Sequence, residues 1–377
     1  MVRCLRRIRI TADEINRCLK PAETVHLVSM SEYTKIGVWQ TAFLGDAVLT
    51  LPLLRALKDR YPDAEIHFYV RGGVESIFAA QPEITQVHGF HKRGAQKSLN
   101  AAVRLGWEIG QEGFDLWIST HKSLRSALVS GATGIKRRIG YAQPWFNRLA
   151  YTETVDRRFD ELEEIERLFQ LLQPLGITPP APKTKLVLSP EARAHADQFW
   201  KTSCGTRPVL GIHPGSTWPT KCWPVEYFSE IVNTAARAGA QVLIFAGPDE
   251  KDVAARVLTG ADLSTEGRTN VIDLACTLTL PQLAAHLGKL DAYLTNDSGP
   301  MHLAWAQDTP LVALFGPTVK ELGFFPRGDN STVLETPLEC RPCGLHGPKK
   351  CPEGHHNCMR ALTPDMVWEA LRKKLDL

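Results

Sequence analysis

The run Leu294-Thr295-Asn296-Asp297-Ser298-Gly299-Pro300-Met301-His302-Leu303-Ala304, continued by Thr309-Pro310-Leu311-Val312-Ala313-Leu314-Phe315-Gly316-Pro317-Thr318, decides how the rest of the chain is read. Its pattern is a strand, a tight polar turn, a short helix and a second buried strand, the local arrangement that aims a helix N-terminus at a ligand. Ser298 suits the N-cap position and Gly299 lets the backbone approach whatever lies above it. Pro300 fits the first helical turn, where a missing N–H is harmless. An ordinary capped helix uses the same residues, so the surrounding sequence has to separate an anion site from a cap.

Upstream of this run the same alternation recurs. Strand-like segments at Val209-Leu210-Gly211-Ile212, at 242–245, near Val271 and at 292–294 are separated by helical stretches, one near 225–238. An earlier set begins at Ile36-Gly37-Val38-Trp39 and runs through a helix ending at Tyr61, a strand at 66–70 and a Gly72-Gly73 turn. It continues with a strand near 87–90, a helix over 99–109 and a strand at 116–119. A helix at about 161–175, apolar at Leu162, Ile165, Leu168, Phe169 and Leu172, leads into Pro179, Pro180 and Pro182. Such spacing implies βαβ units with parallel sheets. The expectation is an α/β chain of two Rossmann-like, doubly wound domains: an N-terminal extension 1–34, a first domain 35–175, a linker 176–206 and a second domain 207–377 that ends in a helix. Ligands of such sheets bind beyond the carboxyl ends of the strands, so two facing domains put a cleft between them.

Size and composition agree. At 377 residues the chain suits two domains of roughly 150 to 190 residues each. Hydrophobic content of 44% and charged content of 23% are those of a globular protein. A formal charge of +3, with no basic run interleaved with aromatics, argues against nucleic acid as a partner. The start is basic through Arg3, Arg6, Arg7 and Arg9, but Asp13 and Glu14 follow where a signal peptide would have its apolar core. No stretch approaches the roughly 18 apolar residues of a membrane span. A cytoplasmic protein is expected, with a basic arm that could touch anionic lipid.

Two further segments sit where ligand loops belong. After the first strand of the second half comes His213-Pro214-Gly215-Ser216-Thr217-Trp218-Pro219-Thr220-Lys221-Cys222-Trp223-Pro224, stiffened by three prolines. The Ser216 and Thr217 hydroxyls could meet phosphate oxygens, and Lys221 supplies a compact positive charge. After the first strand of the first half comes Gly45-Asp46. Asp46 could cap the next helix or face the cleft as a general base, and the two roles compete for the same oxygens.

Gly45-Asp46 with Thr50-Leu51-Pro52-Leu53-Leu54 and Tyr61-Pro62-Asp63-Ala64-Glu65-Ile66, then His213-Pro214-Gly215 with Trp218 to Pro224, then Asp297 to Ala304 with Phe315-Gly316-Pro317-Thr318, resemble the glycosyltransferase family 9 heptosyltransferases of lipopolysaccharide core assembly, in order and spacing over roughly residues 35 to 375. The resemblance implies a GT-B fold, with the acceptor held by the first domain and ADP-heptose by the second. It implies an inverting transfer to the lipopolysaccharide inner core, with no cofactor required for catalysis, at the cytoplasmic side with peripheral contact to the inner membrane. By position, Asp46 is the implied general base. Lys221, Ser216, Thr217, Ser298 and the N–H groups from Gly299 onward would stabilise the leaving diphosphate. Asp297, being negative, suits sugar hydroxyls or the ordering of its own loop, and His302 either reaches the ligand or packs beneath the helix. Arg71, His88, His91, Lys92, Arg93, His121, Lys122 and Arg125 are candidates for an acidic acceptor.

Nine cysteines remain, of which Cys340, Cys343, Cys351 and Cys358 form C-x2-C-x7-C-x6-C in a loop rich in Gly, Pro and Lys, with His346, His355 and His356 as spare ligands. Four thiolates would close a structural metal site, whereas the last two spacings match no common zinc pattern, so metal and free thiols both stay open, with disulfides disfavoured by a reducing compartment. Related protein heptosyltransferases hold iron with four such cysteines, which keeps zinc and iron as candidates. Other readings are a different GT-B enzyme (another sugar donor, a protein acceptor, or a 2-epimerase) and a non-catalytic metal-binding module. A dehydrogenase is disfavoured because neither first strand is followed by G-x-G-x-x-G.

Overall fold

The computed structural model describes residues 33–92, 94, 97–262 and 270–377. The basic arm, Cys4, Cys18 and Arg93 lie outside the described residues. Two six-stranded sheets, parallel throughout, carry the fold. The first holds β1 (Lys35–Gln40), β2 (Glu65–Arg71), β3 (Gln86–Phe90), β4 (Leu116–Ser119), β5 (Arg137–Tyr141) and β6 (Glu153–Val155), in the order β3-β2-β1-β4-β5-β6. The second holds β7 (Val209–His213), β8 (Gln241–Ile244), β9 (Val271–Asp273), β10 (Ala292–Asn296), β11 (Leu311–Phe315) and β12 (Ser331–Glu335), in the order β12-β11-β10-β7-β8-β9. Both are the doubly wound order, with the reversal of winding between β1 and β4 and between β7 and β10, where such sheets open a crevice. The central strands are continuous apolar runs because helices cover both faces: every residue of Leu311–Phe315 and of Ala292–Asn296 is buried.

Serine and threonine caps start many of the helices. The Ser98 hydroxyl accepts the Ala101 N–H at 3.1 Å, Ser123 that of Ser126 at 3.2 Å, and Ser189 that of Ala192 at 3.2 Å. The last cap opens a helix at Pro190–Ser203, inside the segment expected to be a linker. It packs on the helix Leu280–Leu287, with His195 Nδ1 3.2 Å from His286 Nε2. A helix at Glu164–Gln170 ties the two halves: Arg167 donates to the Leu322 carbonyl at 2.7 Å, and Arg327 pairs with Glu166 at 2.6 Å and Glu163 at 2.5 Å. One apolar cluster runs from Val38, Leu54 and Phe68 through to Met301, Leu311 and Phe315, so the halves share core as well as polar contacts.

Burial pushes the imidazoles of His286 and His302 down to about 4. Both therefore stay neutral in the folded state down to about pH 4, while the unfolded chain takes up protons from about pH 6.5 downward. A folded pKa below the unfolded one gives a histidine a stability contribution that falls with pH. The melting temperature is expected to drop between pH 6.5 and 5, and His286→Gln, if it folds, to flatten that dependence; a variant with the wild-type slope would contradict the assignment.

Candidate functional site

Ten residues expected at the catalytic and donor site line one cavity at the carboxyl ends of β1, β7 and β10: Gly45, Asp46, Ser216, Thr217, Lys221, Asp297, Ser298, Gly299, Pro300 and His302. It encloses about 260 Å³, close to the lower bound of roughly 300 Å³ for small-molecule sites. Asp46 forms one wall, from the helix Leu44–Leu49 that follows β1. Its Oδ2 accepts the Phe43 N–H at 3.0 Å, so it does cap its helix, as third helical residue rather than as N-cap. One such bond uses a fraction of a carboxylate's acceptor capacity, and the two roles foreseen for Asp46 do not exclude each other. Burial raises its pKa above the ordinary carboxylate value, against the lowering pull of the Phe43 N–H, Arg157 and Lys221.

Close helix crossing sets the position of that wall. A Cβ on Gly45 would sit 2.5 Å from His302 Cδ2, so only glycine lets the helix of Asp46 lie against the helix Gly299–Ala306. His302 packs under the crossing and also lines the cavity. Among the described residues its Nδ1 is buried without a hydrogen-bond partner, and burial pushes the ring's pKa down to about 4.

The opposite wall is the loop after β7 with the turn after β10. Lys221 Nζ lies 2.5 Å from Asp297 Oδ2, and Thr318 Oγ1 donates to the same oxygen at 2.7 Å. Burial alone would raise the Asp297 pKa, but Lys221 and Thr318 hold it below the ordinary value. Asp297 therefore orders its own loop and fixes Lys221. Ser298 occupies the N-cap position of Gly299–Ala306 without serving as a cap: its hydroxyl makes no bond to the helix and lies 3.3 Å from Thr295 Oγ1. The first-turn N–H groups are left without a side-chain cap at the cavity wall, as an anion site requires.

Several contributors were not legible as such. Asn296 staples the two loops together, donating to the Pro214 carbonyl at 2.8 Å and accepting the Trp223 N–H at 3.0 Å. Glu250, after β8, lines the cavity and accepts from His213 Nε2 at 3.0 Å; burial works to raise its pKa, but His213 and the Gly247 N–H keep it below the ordinary value. A Cβ on Gly215 would sit 2.3 Å from the Glu250 carboxyl carbon, which explains the glycine in that loop. Behind Asp46, Arg157 lies 2.5 Å from Glu164, which Arg167 also meets at 3.2 Å. Burial raises the Glu164 pKa.

The cysteine-rich loop turns out to be part of the cavity. Leu345 and His346 line it, and the His346 ring stacks on Trp218 (6.1 Å between centroids, 5° between planes) and meets Phe43 of the other wall edge-on at 5.6 Å. The loop is pinned by His356 Nε2 at 2.7 Å from the Thr220 carbonyl, by the Cys343 N–H to the Pro317 carbonyl at 2.8 Å, and by Arg341 to the Thr318 carbonyl at 2.7 Å. Cys340, Cys343, Cys351 and Cys358 are neighbours: the Cys343 thiol is pushed up by burial and then by Cys340 and Cys351. Four thiols suit zinc or iron, yet among the described residues no three of these sulfurs lie within 4.8 Å of one another, wider than the roughly 3.8 Å edge of a tetrahedral zinc–sulfur set. As placed, these side chains do not form a closed four-sulfur set.

Of the acceptor candidates, Arg71 lines the cavity, its guanidinium 5.5 Å from the Phe43 ring centroid. His121 and Lys122 follow β4, with His121 Nδ1 2.8 Å from Ser126 Oγ and its pKa pushed down to about 4 by burial. Lys92 donates to the Thr41 carbonyl at 3.3 Å, Arg125 to the Lys97 carbonyl at 2.6 Å, and His91 sits 3.7 Å from Glu75. His88 pairs with His67 near the other end of β2 and does not line the cavity.

Known proteins share this architecture. The family model of glycosyltransferase family 9 (heptosyltransferase) matches residues 102–352. Lipopolysaccharide heptosyltransferase 2 of Escherichia coli K12 is 28% identical over 356 residues, covering 90% of this chain and 98% of that protein. Among solved structures, a glycosyl transferase family 9 protein of Veillonella parvula superposes with a TM-score of 0.80 at 23% identity, over 91% of this chain and 97% of the other. The E. coli heptosyltransferase WaaC with ADP-2-deoxy-2-fluoro heptose superposes with 0.67 at 21% identity, over 89% and 98%. The match spans well over half of the chain, and the protein belongs to glycosyltransferase family 9, the heptosyltransferase family.

Proposed function

We propose that this glycosyltransferase moves a heptose, with inversion, from ADP-heptose to the inner core of lipopolysaccharide. The observation that carries this reading is the convergence of Asp46 from one wall and Lys221 with the N-terminus of Gly299–Ala306 from the other on a single cavity. Asp46 takes the proton from an acceptor hydroxyl, the hydroxyl oxygen bonds to the anomeric carbon, and the bond from that carbon to the diphosphate breaks, releasing ADP. Charge growing on the diphosphate meets Lys221 and the uncapped amides, which are already oriented. Glu250 follows the second strand of its domain, where an acidic side chain of a Rossmann-like unit accepts from ribose hydroxyls, and it is assigned that role. The donor assignment rests on the names borne by the relative from E. coli K12 and by the WaaC complex.

His346 is assigned to the donor side of the cavity, clamped between Trp218 and Phe43. An aromatic contact of this kind is worth about 0.5–1.5 kcal/mol. His346→Ala is therefore expected to raise KM for the sugar nucleotide roughly 3- to 10-fold, with a smaller change in kcat. Steady-state kinetics check this, and an unchanged KM would remove His346 from the site.

The reaction is assigned to the cytoplasmic side of the inner membrane. No helix among the described residues is long and apolar enough to cross a membrane. Trp145 (72% exposed) and Leu149 (78%), with Arg148 between them, follow β5 at the carboxyl edge of the first sheet, where an acceptor anchored in lipid would arrive. The double variant Trp145→Ala, Leu149→Ala is expected to reduce co-sedimentation with anionic vesicles roughly tenfold, while activity on a delipidated acceptor is kept. Equal sedimentation would remove this face from the membrane. Transfer assays with ADP-heptose and heptose-deficient core test the activity itself.

A further inference from the structure

The first domain carries a second cluster of coordinating side chains, away from the cavity. His67 on β2, His88 on β3 and Glu112, just beyond the helix Leu99–Gly110, each present one donor atom, and the three atoms lie within 4.8 Å of one another. His67 Nδ1 and His88 Nε2 are 3.0 Å apart. Two imidazoles on one tetrahedral metal, at bonds of 2.0–2.1 Å, hold their nitrogens about 3.3 Å apart, so sharing an ion needs a shift of only a few tenths of an ångström. We infer that His67, His88 and Glu112 form a binding site for a borderline divalent transition metal such as zinc, cobalt or nickel, which ties β2 and β3 to the end of the covering helix.

An ordinary hydrogen bond between two imidazoles would explain the 3.0 Å separation by itself. Three further features favour a metal. The other nitrogen of His67, Nε2, lies 3.6 Å from Glu65 Oε2, the outer carboxylate that characteristically orients a metal-binding imidazole. The Tyr69 ring stacks flat on His88 (4.3 Å, 9° between planes) and fixes its plane. The donor set is the third: two imidazoles and a carboxylate form a nitrogen–oxygen set suited to this metal class rather than to calcium or magnesium. The opposing charge is Lys35, whose Nζ lies 3.8 Å from Glu112 Oε2 and donates to the Glu112 carbonyl at 2.9 Å. The metal has to compete with it for the carboxylate. Glu112 is exposed and His88 half-buried, so an ion has a way in, while buried His67 supplies the rigid anchor. The cluster lies toward the start of β2, whose last residue, Arg71, lines the cavity; the metal braces the acceptor-side sheet and takes no part in chemistry.

Cobalt(II) titration of the metal-stripped full chain tests the site, because the colour of bound cobalt separates it from the cysteine loop: thiolate ligands give strong charge-transfer absorption in the near ultraviolet, nitrogen and oxygen ligands only weak visible bands. The expected result is one equivalent of the second kind, together with a raised melting temperature. That equivalent is lost in His88→Gln and in Glu112→Gln, the latter at an exposed position. Glu65→Gln weakens it about 10- to 100-fold. Cobalt binding that is unchanged in His88→Gln and Glu112→Gln, or that shows only thiolate absorption, would overturn the assignment.

Discussion

Asp46→Asn is expected to lower kcat by about 10²- to 10⁴-fold, the range that a positioned general base contributes, with KM for the sugar nucleotide nearly unchanged. The substitution keeps the acceptor for the Phe43 N–H, because the amide carbonyl can take the bond that Oδ2 takes now. Loss of activity would therefore report the missing base and not a lost helix cap. Burial raises the Asp46 pKa, so the acid limb of the pH–rate profile should sit above the ordinary carboxylate range, and it should vanish in the variant. A kcat within a factor of a few of wild type would remove Asp46 from the role.

Lys221→Met is expected to cost both activity and stability. It strips the anion wall of its cation, and it leaves Asp297 as a buried carboxylate with, among the described side chains, Thr318 alone to accept from. Breaking a buried pair in this way costs about 3–5 kcal/mol, whereas replacing both partners is far cheaper. Lys221→Met with Asp297→Asn should therefore recover much of the melting temperature and none of the activity, which separates the structural part of Lys221 from the electrostatic part. The pH dependence has a definite sign. Asp297 is held below its unfolded pKa, so its contribution to stability is complete above the ordinary aspartate range near pH 4 and is lost as pH falls through the lower folded value. Denaturation curves between pH 5 and 2.5 should show this loss in wild type and not in the double variant. If the single and double variants melt alike, the pair does not carry the energy assigned to it.

Much of this site was legible in the chain because βαβ chemistry is local. A buried strand, a turn with serine and glycine, and a proline in the first helical turn place a helix N-terminus wherever they occur, and Leu294 to Ala304 contains all three. The winding order and the carboxyl-edge rule then bring Asp46, Lys221 and Ser298 to one crevice with no long-range information. What stayed hidden depends on contacts far apart in sequence. His346 reads as a spare ligand of the cysteine loop, and only the packing of that loop against Thr220, Pro317 and Thr318 carries it between Trp218 and Phe43. Arg157 and Glu164 meet through the helix that joins the halves, a pairing no spacing rule announces. The helix Pro190–Ser203 had a readable start in Ser189-Pro190, but the prolines before it dominated the reading. Strands β5 and β6 are short and charged at the start, which masks their periodicity.

The proposed function joins, in one cavity, a donor-side anion wall to an acceptor-side base for heptose transfer. Its most direct measurement is the release of ADP from ADP-heptose, followed together with the mass of a heptose-deficient lipopolysaccharide core. Heptose transfer at this site predicts ADP release only when the core acceptor is present, matched one for one by core that has gained a single heptose. Release of ADP without acceptor, or no mass gain on any inner-core acceptor, would contradict it.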